Sequence, residues 1–160
     1  MRLALYQPEI PQNTGTLLRL CACWGVPLDI IEPCGFSLSD TRLRRAGMDY
    51  VERAQYQRHA SWQAFQEAQL GRIILLTPHT MLHYTDFSFG VDDILLLGQE
   101  SVGVPDTVAD QISIHVKILM LPDRRSINVA LSGAIVLGEA LRQTNLFPER
   151  SETFENVREN

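Results

Sequence analysis

Arg19 is the only charged residue in the stretch PQNTGTLLRLC, which runs from Pro11 to Cys21. The residue types predict a loop over residues 11–15, with Asn13 or Thr14 capping the helix that follows. At about 100° per residue, this helix places Arg19 roughly opposite the centre of its apolar face. That face carries Leu17, Leu20, Cys21 and Trp24. The spacing alone leaves open whether Arg19 is a solvated surface charge or a functional group.

A second stretch, ILLLGQESVGVPDTV, places glycines and a carboxylate directly after an apolar run. Ligands of parallel α/β sheets bind at the carboxyl ends of strands, where a glycine lets the backbone approach a ligand or adopt a positive φ. Gly98 and Gly103 are equally compatible with simple turns, and Glu100 lies between them. The Gly-x4-Gly spacing lacks the Lys-Ser/Thr of a phosphate loop, and no G-x-G-x-x-G follows a strand. These features argue against nucleotide-triphosphate hydrolysis and against a Rossmann dinucleotide site.

A third stretch, ILMLPDRRSINVALSGAIVLGEALRQ, reads as a strand, a polar loop and a helix rich in small residues. Ser126, Asn128 and Glu139 break the apolar run well short of the ~20 residues that a membrane-spanning helix needs. Four small residues of the helix permit close approach of another backbone: Ala130, Gly133, Ala134 and Ala140. We therefore expect a buried or interface helix.

The elements that must position these residues alternate along the chain. Short apolar runs bounded by Pro, Gly or Asp predict strands over Leu3 to Tyr6, Leu28 to Ile31, Arg72 to Thr77, Ile94 to Leu97 and His115 to Leu121. Amphipathic runs between them predict helices over Thr14 to Trp24, Ser39 to Ala46, Ser61 to Leu70 and Ile127 to Gln143. Strands separated by helices predict an α/β fold with a mainly parallel sheet flanked by helices.

The length and composition predict one domain. A chain of 160 residues with 45% hydrophobic content can bury one ordinary core. We expect that domain to cover residues 1–150, and the polar tail SETFENVREN, residues 151–160, to stay outside it. With 14 basic against 19 acidic residues, non-specific coating of nucleic acid is not expected, although a local basic patch remains compatible with RNA binding.

The cysteines and the first residues of the chain indicate the cellular compartment of the protein. Cys21, Cys23 and Cys34 make an odd number, which is typical of reduced thiols in the cytosol. No second Cys or His pair at ligand spacing accompanies them, so no metal is expected. The first apolar run is stopped by Pro8 and is too short for a signal peptide or a membrane span. We expect a cytoplasmic protein without a membrane partner.

Taken together, the motifs resemble those of the SPOUT superfamily of RNA methyltransferases, and within it the small TrmL-type tRNA 2′-O-methyltransferases. The matching stretches are NTGTLLRLC, LLLGQESVGVP and LPDRRSINVALSGAIVLGEALRQ, with IIEPCGFSLSDTRLRRAGMDY between the first two. The resemblance covers about residues 2–148.

The resemblance implies a fold and a cofactor. The C-terminal part of the α/β domain would be threaded into a deep trefoil knot, and S-adenosylmethionine would bind in that knot. The positions that match the family's cofactor contacts are Leu76, Gly98, Ile118 and Ser126. Leu76 and Ile118 suit apolar walls around an adenine, whereas Gly98 leaves room for close backbone contact.

The resemblance also implies an active site in which Arg19 lies near the ribose hydroxyl that receives the methyl group. Because a guanidinium is charged at every accessible pH, we expect Arg19 to position the target phosphate or hydroxyl, and proton abstraction by Arg19 remains an open alternative. Asn13, Glu100 and Asn128 match further family elements. We expect them to hold the loops and Arg19 in place by hydrogen bonds, with substrate contact as the alternative.

The partners implied by the resemblance are tRNA and a second copy of the chain, with no DNA. Arginines that could contact RNA phosphates, or could simply be solvated, are Arg42, Arg44, Arg45, Arg53 and Arg58, together with Arg124 and Arg125. The implied reaction is 2′-O-methylation of the wobble nucleotide of tRNA, cytidine or modified uridine. The alternatives are another position in tRNA or ribosomal RNA, and a non-catalytic RNA-binding module.

One position departs from the family pattern. Many TrmL-like sequences carry a tyrosine immediately before the glutamate of the last helix, where this chain has Gly138 before Glu139. A glycine there weakens the helix and removes an aromatic contact, which bears on the dimer interface or on tRNA binding.

Overall fold

Six strands form one fully parallel sheet in the computed structural model, which describes residues 1–37 and 55–149. Strand order across the sheet is β3-β2-β1-β5-β4-β6, with every neighbouring pair parallel. The strands are β1 Arg2–Tyr6, β2 Leu28–Ile31, β3 Tyr56–His59, β4 Ile73–Leu76, β5 Ile94–Leu97 and β6 Ile114–Val116. The predicted α/β class and parallel sheet are confirmed.

Four α-helices and one 3-10 turn accompany the described strands, with the last helix following β6. They are α1 Pro11–Trp24, α2 Trp62–Ala68, α3 Asp106–Ala109 and α4 Val129–Thr144, with the 3-10 turn at Tyr84–Asp86. None of the helices within the described residues is long and apolar enough to cross a membrane.

Each face of the sheet carries its own hydrophobic core. Leu3 and Leu5 of β1 pack with residues of α1 and α4, whereas the alternate residues Ala4 and Tyr6 pack on the other face with Phe65 of α2. This alternation follows from the two-residue period of a strand. The central strand β5 is covered on both sides, because none of its four residues is more than 2% exposed. That burial explains why it reads as the uninterrupted apolar run ILLL.

Helices α1 and α4 pack closely on the same face of the sheet. At Gly133 of α4, a Cβ atom would lie 2.8 Å from Leu97 Cδ1 and 3.0 Å from Leu17 Cδ2. A side chain at position 133 would therefore require the Leu97 and Leu17 side chains to move. At Gly133 the close neighbours are side chains of β5 and α1, and the predicted close approach of another backbone to this helix stays a prediction.

Two boundaries differ clearly from the sequence prediction. Helix α1 begins at Pro11 rather than Thr14, with Ile10 as its N-cap, so Asn13 and Thr14 are not caps. Proline suits the first helical position because its missing N–H would have had no partner there. Strand β6 ends at Val116, and the predicted continuation to Leu121 is wrong. The backbone of Lys117 pairs instead with Leu82 and Tyr84 in the connection after β4.

Strand β3 is absent from the prediction, because its sequence YQRH lacks an apolar run. Its first three residues are exposed and only His59 is buried, as expected of an edge strand. The predicted helix Ser39 to Ala46, the polar tail 151–160 and the arginines Arg42, Arg44, Arg45 and Arg53 lie outside the described residues.

Candidate functional site

A cavity of about 650 Å³ lies at the carboxyl ends of β4, β5 and β6. Its walls come from the loops that follow these three strands and from the first residues of α4. Seven of the predicted site residues line it: Asn13, Leu76, Gly98, Glu100, Ile118, Ser126 and Asn128. The volume falls in the range of cavities that enclose drug-sized ligands.

The loop after β5 is folded tightly by its two glycines. Gln99 and Gly103 exchange backbone hydrogen bonds of 2.9 and 3.0 Å, and Gly103 has a φ of 74°. A Cβ atom on Gly98 would lie 2.5 Å from the carbonyl carbon of Gly103 and 2.8 Å from the nitrogen of Val104. A side chain at Gly98 would therefore collide with this loop itself. Both glycines are required by the turn, whatever ligand the cavity holds.

The Glu100 carboxylate joins this loop to the start of α1. It accepts hydrogen bonds from the backbone N–H of Glu9 at 2.9 Å, from that of Ile10 at 3.3 Å and from Asn13 Nδ2 at 3.1 Å. A negative charge at a helix N-terminus is also favoured by the helix dipole. Glu100 thus acts as the polar cap that Ile10 cannot provide.

Asn128 extends the network to α4. Its Nδ2 donates to Asn13 Oδ1 at 3.0 Å, while its own Oδ1 accepts from the N–H groups of Ala130 and Leu131 as the N-cap of α4. Asn13 is 9% exposed and lies between the two partners. Glu100, Asn13 and Asn128 therefore tie together three segments that border the cavity.

A reciprocal carboxylate strengthens the same junction. Glu9 accepts hydrogen bonds from the backbone N–H of Ser101 at 2.9 Å and from its hydroxyl at 2.8 Å. Glu9 thus holds the loop that carries Glu100, and Glu100 holds the backbone of Glu9. The sequence analysis missed this second carboxylate, because Glu9 and Ser101 belong to distant parts of the chain.

Arg19 lies apart from this network. It is exposed on α1, as its helical spacing predicts, and it is not among the residues that line the cavity. Its predicted place beside the reacting hydroxyl stays a prediction.

Several polar cavity residues escaped the sequence analysis. His79, Asp106, Asp110 and His115 all line the walls, and Arg125, predicted only as an RNA contact, does so too. Asp106 and Asp110 lie on and just after α3, a four-residue helix too short to leave a periodic pattern. A useful signal was the proline at position 105, which ends the glycine-rich loop and starts this helix.

Two of the three cysteines have thiols with a raised pKa. Burial raises the pKa of the Cys21 thiol to about 12, and burial together with the charge of Glu32 raises the pKa of Cys34 to about 11. Both thiols are therefore protonated at neutral pH. Within residues 1–37 and 55–149, no group of three or more His, Cys, Asp or Glu side chains could hold a metal ion.

Comparison with known families identifies the fold. The sequence profile of the SpoU rRNA methylase family matches residues 1–138, which include all three cavity loops. The chain belongs to this family. The predicted resemblance to SPOUT-type RNA methyltransferases is thereby confirmed.

Individual SpoU-family relatives are similar over nearly their whole length. A tRNA (cytidine(34)-2′-O)-methyltransferase of Beijerinckia indica is 54% identical over 144 residues, which cover 88% of this chain and 90% of that protein. A protein of the same name from Escherichia coli strain K12 is 41% identical over 146 residues, with 89% and 93% covered. A structure solved in a study of the 2-OH methylation of C/U34 on tRNA has a TM-score of 0.86 and 39% identity, and covers 89% of this chain and 94% of that chain.

Proposed function

We propose that this chain transfers a methyl group from S-adenosylmethionine to the ribose 2′-hydroxyl of the wobble nucleotide, cytidine or modified uridine, in the tRNA anticodon loop. The observation that carries the proposal is the cavity at the carboxyl ends of β4, β5 and β6, in a chain that is 54% identical to a tRNA (cytidine(34)-2′-O)-methyltransferase. The match covers 88% of this chain, and the SpoU family profile over residues 1–138 includes the loops that border the cavity.

The cavity suits the proposed cofactor in size and in chemistry. Leu76 and Ile118 offer apolar walls for a purine, while Ser126 and the backbone at Gly98 offer polar contacts. We assign cofactor binding to these four residues. When bound, S-adenosylmethionine supplies an electrophilic methyl group on a sulfonium centre.

The chain's own work is to orient the ribose oxygen and to hold the loops that form the cavity. Asn13, Glu100 and Asn128 perform the second task through the hydrogen bonds that join α1, the loop after β5 and α4. A rigid arrangement of this kind favours transfer because the reacting atoms need not be ordered during the reaction. Arg19, permanently charged, is assigned to the target phosphate or hydroxyl as a positioning cation.

We further propose that the C-terminal segment is threaded through the connection between β4 and β5. That connection contacts the chain on both sides of α4. Before the helix, Lys117 hydrogen-bonds to Leu82 and Tyr84; at its end, Gln143 accepts from Phe89 N at 3.0 Å and donates to Phe87 O at 3.1 Å. These contacts support a connection that encircles the C-terminal segment, as in a trefoil knot.

The proposed partners are tRNA and a second copy of the chain, without DNA or a membrane, in the cytoplasm. Helix α4 supports the dimer, because Leu131 and Ile135 lie one turn apart and are 59% and 40% exposed. Apolar side chains in such a position are suited to a self-complementary interface. The three cysteines, all free, agree with a reducing compartment.

The proposal is tested by incubating the protein with methyl-labelled S-adenosylmethionine and a tRNA whose wobble ribose is unmethylated. A matched tRNA that already carries a 2′-O-methyl group at the wobble nucleotide serves as the control. We expect label in the first tRNA only. Equal labelling of both would indicate another position, and no labelling of any RNA by folded protein that binds the cofactor would indicate a non-catalytic module.

A further inference from the structure

The hydroxyl of Thr14 is buried and has no hydrogen-bond partner among residues 1–37 and 55–149. Thr14 is 1% exposed, and among the described residues its Oγ1 makes no hydrogen bond. Buried hydroxyl groups are nearly always paired, because an unpaired one loses its hydrogen bonds to water on folding. Threonines in helices often donate to the carbonyl of the preceding turn. Here that carbonyl, Ile10 O, accepts from the backbone N–H groups of Asn13 and Thr14, and in the described part of the chain the Thr14 hydroxyl does not bond to it.

A small cavity of about 10 Å³ lies beside Thr14 and below the larger one. This volume is at the lower limit for one water molecule. Its polar walls are Thr14, Asn13 and Glu100, and the remaining walls are mostly apolar, among them Leu5 and Leu17. Thr14, whose hydroxyl is unpaired among the described residues, and Glu100 therefore border the same small space.

Glu100 has a free acceptor position for such a water. A carboxylate offers about four lone-pair positions, and the described residues occupy three of them, with donors from Glu9, Ile10 and Asn13. Only one of these three donors, Glu9 N, binds Oε2. One position on the carboxylate therefore remains for a water that also bonds to the Thr14 hydroxyl.

We propose that a buried water occupies this small cavity and bridges Thr14 Oγ1 to the Glu100 carboxylate. Thr14 is then a positioning residue for the active site. Asn13, Gly98, Glu100 and Val129 line both cavities, so the water supports the wall of the larger one from behind. This consequence for catalysis rests on the proposed function, whereas the water itself does not.

The test compares Thr14→Val, which keeps the shape but removes the hydroxyl, with Thr14→Ser, which keeps the hydroxyl. A high-resolution crystal structure of the wild-type protein should show a water within hydrogen-bonding distance of Thr14 Oγ1 and of a Glu100 oxygen. In urea denaturation, Thr14→Val should lower the folding equilibrium constant by about 5- to 10-fold, and Thr14→Ser should restore most of the loss. In methyl transfer, kcat of Thr14→Val should fall while KM for the cofactor changes less, with rescue by Thr14→Ser.

Two results overturn the proposal. One is a well-ordered wild-type site without water, in which Thr14 Oγ1 turns to the Ile10 carbonyl. The other is a Thr14→Val variant at least as stable as the wild type, the expected result for an unpaired hydroxyl. Both results are obtained without methyl transfer, so they separate failure of the water site from failure of the proposed function.

Discussion

Glu100 joins two segments that lie 90 residues apart in sequence, and it does so at the edge of the large cavity. Its carboxylate accepts hydrogen bonds from the start of α1, and there Asn13 in turn accepts a hydrogen bond from Asn128 at the start of α4. Because three cavity segments depend on this one chain of hydrogen bonds, a single polar substitution within it should disturb the geometry of the site more than the stability of the protein.

Asn128→Asp separates these two effects. Aspartate keeps the oxygen that caps α4, so we expect the free energy of unfolding to fall only by the loss of one hydrogen bond to Asn13, about 1–2 kcal/mol. It also places a second carboxylate against Asn13. The amide N–H groups of Asn13 point at Glu100, so its oxygen would face the new carboxylate at position 128 without a hydrogen between them. Methyl transfer should therefore fall, on the order of 10-fold. Wild-type transfer rates in Asn128→Asp would show that the Asn13 connection is not needed.

Arg19→Ala tests the positioning cation. We expect methyl transfer to fall on the order of 100-fold, because an ordered charged contact to the substrate is lost. Cofactor affinity measured by calorimetry should be unchanged, since Arg19 does not line the cavity. Arg19→Lys is the control that keeps the charge but not the planar fork. Transfer by Arg19→Ala at the wild-type rate would remove Arg19 from the mechanism.

At the scale of the elements, replacing either of two glycines of α4 by alanine should change the free energy of unfolding in opposite directions. Gly138→Ala should raise the free energy of unfolding by about 0.5–1 kcal/mol, because alanine has a higher helix propensity than glycine. Among the described residues the new Cβ would meet Trp24 alone, at an ordinary contact distance of 3.8 Å. Gly133→Ala should lower it by about 1 kcal/mol or more, because Leu97 and Leu17 are buried and cannot easily move away. Urea denaturation of the two variants and the wild type measures these free energies of unfolding. Equal shifts of the same sign would contradict the close packing of α4.

The packing of α1 predicts a pH dependence through Cys21. Its pKa is about 12 in the folded protein and near 9 when unfolded, so the folded state binds the proton more tightly. The resulting stabilisation is complete below pH 9 and is lost as the pH rises towards 12. Between about pH 8 and 10, the wild type should lose about 1 kcal/mol relative to Cys21→Ala. Parallel pH profiles of the two proteins would contradict the buried thiol.

The elements were predictable where one physical signal dominated. The buried runs ILLL and LDII predicted two strands with the observed bounds. The predicted start of α2 at Ser61 lies one residue before the observed start, and Ser61 caps that helix with its side chain. Boundaries that are set by contacts between distant parts of the chain could not be predicted from the local sequence. The start of α1 depends on Glu100, and the end of β6 depends on Lys117 pairing with the connection after β4. Strand β3 is polar because it lies at the sheet edge.

At the scale of the whole molecule, the candidate site came from the family resemblance rather than from local pattern. Asn13 and Asn128 are 115 residues apart, and no periodicity could predict that their amides meet. The sheet order brings β4, β5 and β6 together at one edge of the molecule, and the resemblance then assigns their loops to a common cavity. The domain boundary at residue 150 and the dimer stay predictions.

The most direct test of the central claim is to map the methyl group that the protein adds. The protein is incubated with labelled S-adenosylmethionine and tRNA from cells that lack their own wobble 2′-O-methyltransferase, and the product is digested with nuclease and analysed by mass spectrometry. We predict label on the ribose of the wobble nucleotide, strongly reduced with Arg19→Ala. Label on a base, on another nucleotide or on no RNA at all, from folded protein with bound cofactor, would contradict the proposed function.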